Sequence, residues 1–465
     1  MKTIPLADTS APHAAHLPHV VIIGGGASGV LLAAHLLRDP ATPLRVTVIE
    51  GRHMLGCGVA YSTSDPGHLL NTRVANMSAF PDDPDHFRRW LAARGDGATG
   101  ACFVGRATYG AYMTDLLAPL SADGRLRCLR ATCIRLVTTR AGVAAHLDDG
   151  QVVPADRAVL ATGHALPEPD PTGLVHGAWQ QADPPPQGGR VVIIGSGLSM
   201  VDQAISLLSH GHRGEIVALS RRAQLPRVHA TGAPLSITRA EVPLGAPVSF
   251  ILSWLRDLAA RAEAQGGTWR DAVDGVRPHL SALWRAMSAA DRARFLRHAA
   301  PWWEVHRHRL PPESAAILQR ALDSGQMRQL AGRFDGASRD GAILRAHWRP
   351  RGADRILTLD AARIVDCRGI RRDPRTNATP LVADLLATGR ARIDPVRIGL
   401  DVAADCALIG ADGRPDPRIR VIGPASRAAF WEITAIPDIR EQAQTLAVAL
   451  IRDVAPHQQA ATAAP

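Results

Sequence analysis

The chain has 465 residues, 46% hydrophobic and 21% charged, with a formal net charge of +10. That is long enough for two or three domains with cores of their own and is an ordinary globular composition, which excludes a low-complexity or collagen-like chain. No run of about 18 apolar residues occurs, so no transmembrane helix and no membrane partner are expected. The basic residues are scattered, not gathered in a block, so nucleic acid is not an expected partner. Lys2 is the only lysine, which removes Schiff-base chemistry and leaves an arginine-lined cleft for phosphates or an acidic substrate as a use for the charge.

Six cysteines stand at 57, 102, 128, 133, 367 and 406. None forms a C-x-x-C pair, against zinc ribbons and thioredoxin-like dithiols. Cys128 and Cys133 have a C-x-x-x-x-C spacing but lie in a strand-like stretch, and they read as structural thiols in a reducing cytoplasm. Residues 1–18 read as a loose leader rather than a secretory signal, and the Ala/Gln/Pro-rich tail beyond Ala455 as disordered.

Taken in chain order, residues 19–24 form a buried strand, 27–37 a helix stopped by Pro40, and 44–50 a second strand, together a βαβ unit. Asp83 followed by Pro84 predicts a helix start, with Phe87, Trp90 and Leu91 on one face, and a further helix spans 109–117. Short strands fill 125–154 and a buried strand 158–163. A proline-rich joint ends at Pro186, and a second βαβ unit opens at Arg190. Residues 244–330 turn helical and rich in Trp and Arg. Strands resume over 343–359, and the chain closes with a strand at 420–423 and a helix at 439–451. The predicted class is α/β with two Rossmann-like dinucleotide-binding domains, the second inserted in the first. The boundaries are 19–183 and 370–455 for the first domain, and 188–369 for the second with its helical insert at 244–330.

Gly24-Gly25-Gly26-Ala27-Ser28-Gly29 is a G-x-G-x-x-G sequence between strand and helix. Gly24 allows the tight turn, Gly26 lets backbone approach a diphosphate, Gly29 lets helix and strand pack, and the helix N-terminus faces the phosphates. Glu50 ends the second strand, where an acid accepts hydrogen bonds from a ribose. Ala161-Thr162-Gly163 closes a strand at the domain border. Gly195-Ser196-Gly197-Leu198-Ser199-Met200 repeats the fingerprint with Met200 in place of the third glycine. Its second strand ends at Ser220-Arg221-Arg222, without an acid, which suits a 2′-phosphate and so NADPH over NADH. Nesting of one such fold in another is the arrangement of glutathione-reductase-like flavoproteins, with FAD in the first fold and NAD(P)H in the second.

Four further blocks, at 56–62, 68–80, 302–309 and 423–443, resemble the FAD/NAD(P)-binding proteins grouped with FAD-dependent urate hydroxylase and aspartate N-monooxygenase. The likeness runs from about His19 to Leu450. It implies a flavin-dependent, NAD(P)H-consuming oxidoreductase. The first reading it implies is a monooxygenase that transfers oxygen from a C4a-hydroperoxyflavin to a small polar nitrogen compound, either a purine or an amine or amino acid. A reductase without oxygen insertion and a non-catalytic flavin-binding protein are the alternatives. The resemblance places Gly58, Asn71, Met77 and Gly423 by the flavin, and Trp431, Glu432, Thr434 and Pro437 by the ring edge. Residues 365–369 depart from it: Arg368 stands where a small hydroxyl residue is expected. Residues 173–179 echo, in shortened form, the glycine–histidine–tryptophan linker of flavin monooxygenases. Glu304, His306 and His308 diverge on a helix and so read as a polar cluster or a cavity wall rather than a metal site, with Arg307 or Arg309 available to a carboxylate.

Overall fold

The computed structural model describes residues 17–180, 183–369 and 373–454; the expected leader, up to residue 16, and the tail lie outside them. The strands are β1 (His19–Ile23), β2 (Arg45–Ile49), β3 (Leu126–Leu129), β4 (Cys133–Thr138), β5 (Val143–Leu147), β6 (Val152–Ala155), β7 (Arg157–Leu160) and β8 (His176–Gly177). They continue as β9 (Val191–Ile194), β10 (Ile216–Ser220), β11 (Met327–Asp340), β12 (Ile343–Pro350), β13 (Leu357–Ala361), β14 (Arg363–Asp366), β15 (Ala407–Ile409) and β16 (Pro415–Val421).

The first sheet has the order β15-β16-β7-β1-β2-β3. Its core is parallel, and β1, β2 and β7 are apolar runs covered on both faces, as such sheets require. One face carries α1 (Ala27–Leu36), α2 (His86–Ala92) and α3 (Arg106–Asp115), with Phe87, Tyr109 and Tyr112 buried between them. Full burial of side chains of this kind stabilises by on the order of 2 kcal/mol each. The other face is covered by the antiparallel sheet β4-β5-β6. Cys128 and Cys133 fall on β3 and β4 and are unpaired thiols, each pushed up to about 11 by burial.

The second sheet has the order β13-β12-β11-β10-β9-β14-β8. β9, β10, β11, β14 and β8 are parallel; β12 and β13 extend one edge antiparallel. β8 holds His176 of the linker-like motif beside Val365, so the second sheet begins before residue 188 and the joint lies between β7 and β8. Behind the second fingerprint runs α4 (Leu198–Ser209). Between β10 and β11 come α5 (Val248–Ala264), α6 (Trp269–Val276), α7 (Leu280–Ala286), α8 (Ala289–His298), α9 (Ala300–Arg307) and α10 (Pro312–Asp323). α11 (Pro380–Ala387) then packs on β4. β15 and β16 rejoin the first sheet, and α12 (Arg427–Phe430) leads to α13 (Ile436–Val454), which lies against α1. The second fold is thus an insertion into the first.

Candidate functional site: two nucleotide cradles that meet

At the first cradle Gly24 turns with φ +111°, and a Cβ there would stand 2.3 Å from the Ala161 carbonyl oxygen. A Cβ on Gly29 would stand 2.0 Å from the Gly24 carbonyl oxygen, so α1 sits on the strand end at a distance only glycine permits. Gly26 caps α1 without a side chain. The first-turn amides therefore keep no internal acceptor and face an opening, as a bound diphosphate requires. Gly58 faces Gly26 with its Cα 3.5 Å from where a Gly26 Cβ would be. The two glycines leave bare backbone on both sides of the opening.

This opening is a cavity of about 710 Å³, within the range of cofactor sites. Gly24, Gly26, Ser28, Glu50 and Gly58 line the cradle end; Asn71, Met77, Thr162, Gly163 and Thr434 line the rest. Glu50 accepts hydrogen bonds from the Gly25 and Arg52 amides at 2.8 and 2.9 Å, which fixes its carboxylate at the wall with lone pairs to spare.

Five expected residues are not on that wall. Gly29 and Gly423 act behind it: a Cβ on Gly423 (φ +65°) would meet Ser28 Oγ at 2.1 Å. Pro437 lies in the first turn of α13, next to Ala435 and Ile436, which do line the cavity. The expectation that Trp431 and Glu432 stand at the ring edge needs correction. Trp431 has φ +44° and ψ −75°, and this turn carries its ring into the helical insert, stacked on Trp284 at 4.7 Å. Glu432 is buried, accepts Trp303 Nε1 at 2.8 Å and faces Arg307 Nε at 3.6 Å. Despite its burial, His308 and Arg307 hold its carboxyl below the usual range.

The second cradle repeats the first. Gly195 turns with φ +122°, and a Cβ there would stand 2.4 Å from the Cys367 carbonyl oxygen. Gly197 caps α4 without a side chain. Gly195, Gly197, Ser199, Ser220, Arg221 and Arg222 all line a cavity of about 770 Å³. Three arginines that sequence reasoning did not gather there, Arg333, Arg368 and Arg427, line it too, against one acid, Glu304. Met200 is fully buried in the core of the second fold and leaves the cradle open.

The two cavities share five wall residues: His164, Leu198, Ser199, His308 and Thr434. α4 is held at this junction by Arg106, which lines the first cavity and pairs with Asp202 at 2.8 Å. Burial pushes the Asp202 carboxyl up, and Arg106 opposes the shift. His68 Nε2 lies 2.9 Å from Ser206 Oγ of the same helix, and Asp65 accepts from that hydroxyl. His229, from the loop after β10, donates Nε2 to the Asn71 carbonyl oxygen at 3.0 Å. Burial pushes His308 down at the junction, against the pull of Glu432. The Glu304–His308 segment divides as helical spacing demands: Glu304 and His308 face the second cavity, while His306 turns to the insert. Arg307 lines the first cavity, 6% exposed, with Nε and Nη2 making no hydrogen bond. Arg309 is committed to Asp274. His308 belongs to the 302–309 block and lines the cavity wall; Arg106 carries no local motif, and only its position in the fold brings it to the cavity.

The geometry defines a nested pair of dinucleotide-binding folds, and comparison with known proteins agrees. Residues 21–165, in the first fold, match the FAD-NAD(P)-binding family. An uncharacterized protein of Mycobacterium tuberculosis is 23% identical, over 94% of this chain and 96% of its own length. The fold is shared with ornithine hydroxylase from Pseudomonas aeruginosa, at 14% identity and a TM-score of 0.64 over 94% of this chain and 99% of that one. It is shared equally with L-lysine 6-monooxygenase from Pseudomonas syringae, at 14% identity and a TM-score of 0.62 over 95% and 100%. Among the described residues no helix is long and apolar enough to cross a membrane.

Proposed function

We propose that the chain is an FAD-dependent, NADPH-consuming monooxygenase that hydroxylates the nitrogen of a small amine or amino acid. The observation that carries this reading is the junction: two cradles built alike open into cavities that share five wall residues. A reductant seated in one would thus reach an acceptor seated in the other. The first cradle, with Glu50 at the ribose position, takes FAD. The second, with Arg221 and Arg222 at that position, takes NADPH. Bound there, FAD supplies hydride acceptance and oxygen activation.

The protein's own residues do the rest. The Gly26 and Gly197 helix ends hold the diphosphates. Arg106 and Asp202 keep the two folds in register. Arg307, on the cavity wall between Glu432 and Asp438, takes the carboxylate of an amino-acid substrate. The amine class is favoured over the purine class because the activities named for the similar folds are those of ornithine and lysine hydroxylation.

The test is NADPH oxidation by the purified yellow protein, with ornithine, lysine, linear diamines and uric acid offered in turn. The reading expects one of the amines to accelerate oxidation and to yield one hydroxylamine per NADPH in place of hydrogen peroxide. Stimulation by uric acid alone, or peroxide as sole product with every amine, would contradict it.

A further inference from the structure

The helical insert encloses a second kind of space. A cavity of about 640 Å³ lies among α5 to α9 and shares no wall residue with either nucleotide cavity. Six of the nine tryptophans of the chain line it: Trp254, Trp269, Trp284, Trp302, Trp303 and Trp431. A protein interior is close-packed, and a void of this size is far beyond the share of one water. Two of the indoles have already spent their N–H groups: Trp284 Nε1 donates to the Ala428 carbonyl oxygen at 2.7 Å, and Trp303 Nε1 to Glu432. They offer the cavity ring surface rather than donors, and the remaining wall is chiefly aliphatic. A polar ligand body would lose its hydrogen bonds there, whereas a planar aromatic one gains stacking and edge contacts.

The polar side chains of the wall are Arg256, His298 and His306; no Asp or Glu is among the described residues lining it. Arg256 and His298 are exposed, as is Trp302, 48% accessible, so these groups mark the mouth. His306 is tied to the Trp302 carbonyl oxygen and packs edge-on against Trp269 at 4.7 Å. An apolar floor with a cationic mouth complements a molecule that has an uncharged aromatic body and one anionic end. We propose that this cavity is a binding site for an aromatic carboxylate or sulfonate, separate from the flavin site.

The probe is 8-anilinonaphthalene-1-sulfonate, titrated into the full-length protein and read by energy transfer from tryptophan. One dye per chain is expected. Ala259→Trp and Leu252→Trp, two independent fillings of the cavity, should each weaken the dye about tenfold or more with unchanged circular dichroism. Arg256→Ala should weaken the sulfonate about fivefold while leaving uncharged N-phenyl-1-naphthylamine within about twofold. Several dyes per chain, or indifference to whichever filled variant folds, would overturn the site. Equal loss of both dyes in Arg256→Ala would overturn its preference for an anion.

Discussion

The two nucleotide folds of this chain solve one problem twice, and they differ where the ligands are expected to differ. In both, the strand-end glycine donates to the end of the neighbouring strand at 2.8 Å, Gly24 to Ile49 and Gly195 to Leu219. In both, the crossover residue donates back, Ala161 to Ile23 at 2.8 Å and Cys367 to Ile194 at 2.7 Å. Gly163 and Gly369 then turn with φ of +66° and +80°. Cys367-Arg368-Gly369 is therefore the second fold's counterpart of Ala161-Thr162-Gly163, and the shared backbone pattern persists although Arg368 stands where Thr162 does in the first fold. Two of the differences bear on what each cradle holds and how it packs. Glu50 is replaced by Ser220-Arg221-Arg222, and Gly29 by Met200. Backbone geometry is what a diphosphate needs, so it repeats; side chains at the ribose end select the nucleotide, so they do not.

The third glycine is where an exchange should do most harm. Gly29→Met places a side chain on top of the Gly24 carbonyl. Overpacking against backbone costs about 1–3 kcal/mol or more, and the purified variant should be colourless. The reverse change, Met200→Gly, empties a buried site at a cost of about 2–5 kcal/mol, yet the protein should stay yellow. Flavin retained by Gly29→Met would break the comparison.

The link between the folds comes next. Arg106→Ala leaves the half-buried Asp202 without its cation, a loss of about 1–3 kcal/mol, measured by denaturant unfolding. A change within experimental error would show that the two folds are not held together there. Smaller still is the nucleotide preference. Replacing Arg221 and Arg222 with Ala should raise the KM for NADPH about tenfold or more, the worth of one charge-assisted hydrogen bond, while NADH stays within about twofold. Equal loss for both would remove the 2′-phosphate from the account.

A separate effect, read on stability rather than on nucleotide binding, is a pH dependence at the interdomain contact of His229. Burial lowers this imidazole to about 4, against about 6.5 unfolded. Between those values the unfolded chain binds more protons, so stability is complete above about pH 6.5 and falls as pH drops toward 4. His229→Gln should flatten that part of the melting-temperature profile between pH 7 and 4.5; an unchanged slope would exclude His229 as its source.

Much of this architecture was legible from local pattern. The two fingerprints, their flanking strands and the insertion of one fold in the other all follow from glycine spacing and buried apolar runs. Glu50 and the Arg221-Arg222 pair sit at fixed offsets from those motifs and line the cavities. What sequence did not reveal depends on distance or on strain. Arg106, Arg333 and Arg427 reach the cavities from separate elements. Trp431 has a positive φ that nothing in Phe430-Trp431-Glu432 announces, and one residue's rotation there sends the ring to the insert instead of the first cavity. The border at His176–Gly177 escaped notice because a strand of two residues has no period.

Under the proposed function the two cradles take different dinucleotides, whose reactive ends meet at the shared wall of His164, Leu198, Ser199, His308 and Thr434. A crystal structure with FAD and NADP+ tests it most directly. FAD diphosphate is expected at the Gly26 helix end, NADP+ diphosphate at the Gly197 helix end, and the two rings within about 3–4 Å of each other. A dinucleotide bound elsewhere, or two rings that cannot meet at that wall, would contradict it.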